Sequence, residues 1–229
     1  MYIPLFIDFS NLKVLVIGCG SVGLRRASLF SNAGAKVTMV CRESEKRIEG
    51  VDIVSIDIKE NDIETIKQLV KDHHLVVIAI DSESLASAIA RIAISLGKLV
   101  NNAVDSRLGN TIVPLRLSLN GIDIGITSYG ISVEALRRMA RKIEILLESD
   151  IEIKTLIYIC RVLKKCVKIF VQNHKERMNL YRSIFTDDEF NRYVSKGDTV
   201  AAFSRAIDIA RGFGFEIKEC IERGLDQDN

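Results

Sequence analysis

The chain has 229 residues, 48% of them hydrophobic and 27% charged, with a net charge of +2. That length buries a core in one domain with an appendage or in two small domains. The balanced charge excludes a global field drawing it to nucleic acid or a membrane surface. No apolar run reaches the length of a membrane span, and the first residues lack the basic region and cleavage site of a signal peptide.

The first element is a strand over Lys13–Ile17. It runs into Gly18-Cys19-Gly20-Ser21-Val22-Gly23, which is G-x-G-x-x-G opening a helix over Val22–Ala33. A strand ending in such a turn presents free backbone N–H groups at a helix N-terminus, where a pyrophosphate binds. Further strands are predicted over Lys36–Val40, Val51–Ile56, Leu75–Ile80 and Lys98–Asn101, and helices over Asp62–Lys71 and Ser84–Leu96. This alternation predicts an α/β fold with a parallel, Rossmann-type sheet and helices on both faces.

The pattern then changes. Leu115, Leu117 and Leu119 alternate with polar residues, Asn120-Gly121 follows, and Ile122, Ile124 and Ile126 alternate beyond it. This predicts a hairpin with the six apolar residues on one face and Arg116, Ser118, Asp123 and Gly125 on the other. From Ser132 onward the chain reads as helix, with segments over about 151–172, 187–194, 199–211 and 216–223. The expected domains are a dinucleotide-binding domain over 1–110, a hairpin and helix over 111–149 forming a dimerisation and substrate region, and a helical domain over 150–229.

Cys19, Cys41, Cys160, Cys166 and Cys220 are odd in number and scattered, with no C-x-x-C. The expectation is a reducing cytoplasm, with neither a disulfide framework nor a structural zinc site. His73, His74 and His174 read as solvated or structural residues rather than metal ligands.

Several segments, in order, resemble the precorrin-2 dehydrogenases, which are similar to the N-terminal half of siroheme synthases. They are Pro4-Leu5-Phe6-Ile7, the glycine turn followed by Leu24-Arg25-Arg26-Ala27, Gly34–Val40, Val76–Asp81, Asn102-Ala103-Val104-Asp105, and Thr127–Ser132. Arg177–Phe185 resembles a helix late in that family's dimerisation region. The resemblance implies NAD-dependent oxidation of precorrin-2 to sirohydrochlorin by a cytoplasmic homodimer. In some members ferrous iron is also inserted as a substrate. The chain departs from the family at Tyr129, where a glycine is usual, at Val133, where proline is usual, and over Arg107–Thr111 and Cys41-Arg42.

Candidate site residues follow from both readings. Gly18, Cys19, Gly20, Ser21, Val22 and Gly23 form the pyrophosphate turn. Glu43 favours NAD and Arg42 permits NADP, since an acidic residue there takes ribose hydroxyls and an arginine meets a 2′-phosphate. Asp105 is the candidate catalytic residue, as a base or as a group orienting the macrocycle and stabilising positive charge on it. Asn101 and Asn102 contact the nicotinamide end or end their strand. Asp81 lines the adenosine side or caps the next helix. Ser128 and Ser132 offer a helix N-terminus to a substrate carboxylate. Arg137, Arg138 and Arg141 form a basic rim suited to the eight carboxylates of precorrin-2, or a solvated, paired helix face. Two readings compete with the dehydrogenase: a non-catalytic dinucleotide sensor, and a chelatase with little dehydrogenase activity.

Overall fold

A computed structural model describes residues 2–43 and 47–227. Its first strand, β1 (Lys13–Ile17), is flanked by β2 (Lys36–Cys41) on one side and β4 (Leu75–Ile78) on the other. With β3 (Val51–Ser55) and β5 (Leu99–Asn102) they form a parallel sheet in the order β3-β2-β1-β4-β5. The strands end within two residues of the sequence expectation because burial on both faces leaves runs such as Val14–Ile17 continuously apolar.

Alternation along each strand builds two cores. Leu15 and Ile17 face one side, where they pack with Ile66 and Val70 of α2 (Ile63–Lys71) and with Ala86, Ile89 and Ala93 of α3 (Glu83–Ser95). Val14 and Val16 face the other, with Ala27 and Phe30 of α1 (Ser21–Asn32). The strand order reverses direction at β1, so the crevice beyond the carboxyl ends of β1 and β4 is the topological switch point of the sheet.

Contacts divide the described chain into two units. One comprises Met1–Leu115 with Gly125–Val133, the other Arg116–Ile124 with Glu134–Asn229. The boundaries expected from sequence lay at 110 and 149; the contacts instead cut through the hairpin of β6 (Leu115–Leu119) and β7 (Ile122–Ile126). The turn of that hairpin has φ of 51° at Asn120 and 85° at Gly121, the left-handed pair that an Asn-Gly turn supplies. Arg116 and Asp123 share its polar face in a two-pronged ion pair of 2.9 and 3.0 Å.

The second unit holds α4 (Val133–Ser149), α5 (Ile151–Phe170), α6 (His174–Phe185), α7 (Asp188–Ser195), α8 (Thr199–Gly212) and α9 (Lys218–Gln227). Its core gathers Ile159, Leu163, Leu180, Ile184, Phe190, Phe203 and Ile217. The sequence patterns foresaw four of the last five helices; α6 was indicated only through the resemblance at 177–185. Its start is set by Asn173, whose Oδ1 accepts from the N–H groups of Lys175 and Glu176. Among the described residues no helix is long and apolar enough to cross a membrane.

The cysteines correct an expectation. Cys19 is disulfide-bonded to Cys41, and Cys166 to Cys220, leaving Cys160 as the free thiol. No short motif announces either pair because both depend on tertiary neighbours. In the parallel register Ile17 lies opposite Val40, so the residues just beyond these positions on β1 and β2 meet. The second pair joins α5 to α9 across 54 residues.

Candidate active site

The glycine turn closes against the end of β4. Gly18 has a φ of 110°, and a Cβ there would stand 2.0 Å from the Ala79 carbonyl oxygen. Its N–H donates to Val40 O at 2.9 Å, which joins the turn to β2. At Gly23 a Cβ would stand 1.9 Å from the Gly18 carbonyl oxygen, so only glycine lets α1 pack this closely. Gly20 differs: it is the N-cap of α1, and a Cβ there would meet nothing within 4 Å. Two glycines are thus fixed by packing, while the middle one leaves an open approach to the helix N-terminus. That is the arrangement a pyrophosphate requires.

A cleft of about 800 Å³ lies over this turn. Gly18, Cys19 and Gly20 line one side, Cys41, Arg42 and Glu43 come from the end of β2, and Asp81 and Ser82 from beyond β4. Ser21, Val22 and Gly23 form the start of α1 and are not among the residues lining this cleft. Arg42 and Glu43 are both exposed, and Arg42 Nε lies 3.8 Å from Asp57 Oδ1. The capping role considered for Asp81 falls to Ser82, whose Oγ accepts from the Leu85 N–H at 3.3 Å. Asp81 is left exposed on the cleft.

A second, smaller cavity of about 180 Å³ opens at the adjacent end of β5, lined by Asn102, Asp105, Arg107 and the Glu83 side of α3. The first turn of α3 stands between the two, with Ser82 and Leu85 on the larger cavity and Glu83 and Ala86 on the smaller. Asn101 and Asn102 do not line the dinucleotide cleft. Asn101 is buried, its Nδ2 donating to Thr111 O at 3.0 Å. Asn102, only 2% exposed, accepts at Oδ1 from the N–H groups of Val104 and Asp105. Asn101 Oδ1 and Asn102 Nδ2 are buried with no partner among the described residues.

Asp105 caps a single 3-10 turn, Ser106–Leu108. Its Oδ1 accepts from Arg107 N–H and Nε at 3.0 and 2.9 Å, and its Oδ2 from Arg107 Nη2 at 2.9 Å. These hydrogen bonds hold its carboxyl below the usual range and raise that of the guanidinium. Arg107, a departure from the family pattern and from sequence a lesser candidate for the basic rim, is therefore the immediate partner of the candidate catalytic carboxylate. The signal that could have found it is its position two residues after an aspartate that caps a turn.

The Ser128–Ser132 turn is closed on itself. Ser128 Oγ accepts from Ser132 N–H at 3.2 Å and lies 3.3 Å from Ser132 O. Tyr129 sits at φ 53°, which explains why glycine is usual at this point of the family pattern. On α4, Arg138 Nε is engaged by Glu134 at 2.9 Å, one turn away, and Arg137 and Arg141 are exposed. The histidine rings are used locally. His73 bonds Leu69 O and Thr38 Oγ1, and His74 Nδ1 accepts from the Lys13 N–H.

Fold and turn define a dinucleotide-binding protein of the doubly wound class. A family model described as "Putative NAD(P)-binding" matches residues 5–115. The chain is similar to proteins named precorrin-2 dehydrogenase and siroheme synthase. It is 26% identical over 201 residues to a "Putative precorrin-2 dehydrogenase" of Methanocaldococcus jannaschii, covering 85% of this chain and 95% of that one. It is 28% identical over 207 residues to the siroheme synthase of Pseudoalteromonas translucida, covering 88% of this chain but 42% of that protein. The chain thus spans about two-fifths of the length of such synthases. The solved structure of SirC, precorrin-2 dehydrogenase, shares the fold with a TM-score of 0.63 at 20% identity, covering 90% of this chain and 98% of that one.

Proposed function

We propose that this chain oxidises precorrin-2 to sirohydrochlorin, with NAD as the hydride acceptor. The observation that carries the proposal is the pair of adjoining cavities at the carboxyl edge of one sheet: a glycine-turn cleft beside the carboxylate of Asp105. When bound, the dinucleotide supplies the acceptor for the hydride. Gly18 and Gly20 receive its pyrophosphate, and Glu43 its adenosine ribose, which favours NAD over NADP.

Asp105 acts by charge rather than as a strong base. Removing a hydride leaves positive charge on the macrocycle, and a carboxylate kept ionised by Arg107 stabilises that charge and orients the ring. A carboxylate held below its usual range is a weak proton acceptor, so the proton leaves by another route. Arg137 and Arg141 supply positive charge to a substrate rich in carboxylates. On this reading the enzyme works in the cytoplasm, as a soluble enzyme drawing on the NAD available there. The active form is a homodimer in which a second copy covers the apolar surface of α4.

Purified protein incubated with precorrin-2 and NAD should yield the absorption spectrum of sirohydrochlorin and one NADH for each precorrin-2 oxidised. Dinucleotide binding without product would instead favour the sensor. Adding ferrous iron as a second substrate to the same assay reads the chelatase activity the resemblance implies. Product formation from sirohydrochlorin and iron, with none from precorrin-2, would favour the chelatase.

A further inference from the structure

The Cys19–Cys41 pair has no part in the proposed hydride transfer, yet it occupies the wall of the dinucleotide cleft. Both residues line that cleft, one from the middle of the glycine turn, the other from the end of β2. Cys41 is buried at 5% exposure, while Cys19 is half-buried and the more accessible of the two. The bond joins the pyrophosphate end of the cleft to its ribose end.

We propose that this cystine is a reversible modification site for low-molecular-weight thiols and disulfides, and that its state sets affinity for the dinucleotide. This rests on the dinucleotide reading of the cleft. The turn contains Gly20, next to Cys19 and not held by packing, whose backbone freedom must be lost when phosphate is bound. The disulfide removes part of that freedom in advance, so the oxidised form is preorganised and binds more tightly. Once reduced, Cys19 Sγ keeps at most its 3.8 Å contact with Val40 O.

The chemistry is thiol–disulfide exchange and balances without another reagent. A small thiolate attacks Cys19 Sγ, the protein S–S bond breaks, and Cys41 leaves as thiolate. A second small thiol then attacks the mixed disulfide, releasing Cys19. Two small thiols become one small disulfide, and their two protons end on the two cysteines.

Cys166–Cys220, in the other unit, serves as the control pair. Full-length protein would be equilibrated in buffers of reduced and oxidised glutathione, with and without saturating NAD. Differential alkylation and mass spectrometry would read each pair, and calorimetry would give the dissociation constant in each state. We expect NAD to bind at least about fivefold more weakly once Cys19 and Cys41 are reduced. By linkage, NAD should shift the midpoint of this pair toward the disulfide by the same factor and leave the Cys166–Cys220 midpoint unmoved. A Cys19→Ser, Cys41→Ser variant should bind like the reduced protein at every glutathione ratio.

Equal affinity in the two states, or tighter binding by the reduced one, would overturn the proposal. So would a pair that stays dithiol at every ratio. If the pair cycles but neither state binds NAD or NADP, the cofactor reading falls together with the coupling. If NAD binds and affinity ignores the pair, only the present inference falls.

Discussion

Asn102 Oδ1 accepts the backbone N–H of Asp105 at 3.1 Å and that of Val104 at 3.0 Å, fixing the loop that carries the carboxylate to the last residue of a buried strand. Asn102 is thus a positioning residue for Asp105. Asn102→Ala would leave two backbone donors without their acceptor, at a cost of about 1–3 kcal/mol, visible in a denaturant melt. Its kcat should fall with little change in NAD affinity. Asn102→Asp retains the acceptor and should recover more turnover than Asn102→Ala. Equal losses in the two variants would show that the hydrogen bonds to the loop do not position the carboxylate.

Asp105→Asn keeps the shape of the side chain and removes its charge. Turnover of precorrin-2 should drop by about 10² or more while NAD binding is kept. The pH dependence follows from the Arg107 contact. The folded carboxyl lies below its ordinary value, so it stays ionised as pH falls through that value and loses its charge only further down. The acid limb attributable to this group should therefore sit below the usual carboxylate range. Arg107→Ala removes the cause and should move that limb upward. An unmoved limb would mean that a different group controls it.

Much of the first unit was legible because a buried parallel sheet writes itself as short apolar runs separated by turn residues. The hairpin was equally plain, since Asn120-Gly121 supplies two positive φ values between alternating strands. The less legible features depend on partners distant in sequence or on weak periodicity. The Cys19–Cys41 bond follows from the β1–β2 register, which no local pattern encodes. The α6 helix carries few buried residues, Leu180 and Ile184 among them, so its apolar stripe was faint. Asn173 with Glu176 three residues on was the available start signal. At the site, the glycine turn could be read from spacing, whereas the grip of Arg107 on Asp105 required the 3-10 turn to be seen.

The three glycines of the turn should respond differently to alanine. Gly20→Ala places its methyl group in open space, so the fold should survive, with an unchanged melting temperature. The same methyl group fills the approach to the helix N-terminus, and NAD affinity should fall about tenfold or more, near 1.4 kcal/mol. Gly23→Ala drives a methyl group into the Gly18 carbonyl and should lower stability as well as binding. Calorimetry with NAD, paired with thermal melts, separates the two effects. Full affinity in Gly20→Ala would remove the turn as the pyrophosphate site.

Of α4, only Ala140 is buried, while Val133, Met139, Ile145 and Leu146 are 45–63% exposed. A second copy covering this surface would remove apolar area from water. Light scattering should then give a dimer mass, and Ile145→Glu combined with Leu146→Glu should give a folded monomer. A wild-type monomer at micromolar concentration would exclude the dimer.

Asp187 links two helices of the second unit. Its Oδ1 accepts from the Phe190 N–H at 2.8 Å as the N-cap of α7, and Arg205 of α8 grips both carboxylate oxygens at 3.0 and 2.7 Å. The guanidinium and the cap hold the carboxyl at about 2, against an ordinary 3.8. A lowered folded value means stability that is fully present above the ordinary value and is lost as pH falls through about 2. The difference corresponds to roughly 2 kcal/mol. Asp187→Asn retains the acceptor for the cap and loses the ion pair, so it should be less stable than the parent by up to about that amount at pH 7. The gap between the two proteins should close as the pH approaches 2, because the parent then protonates the same carboxyl. Urea melts at pH 7, 4 and 2.5 measure it, and a gap that stays constant across this range would show that Arg205 contributes through packing rather than charge.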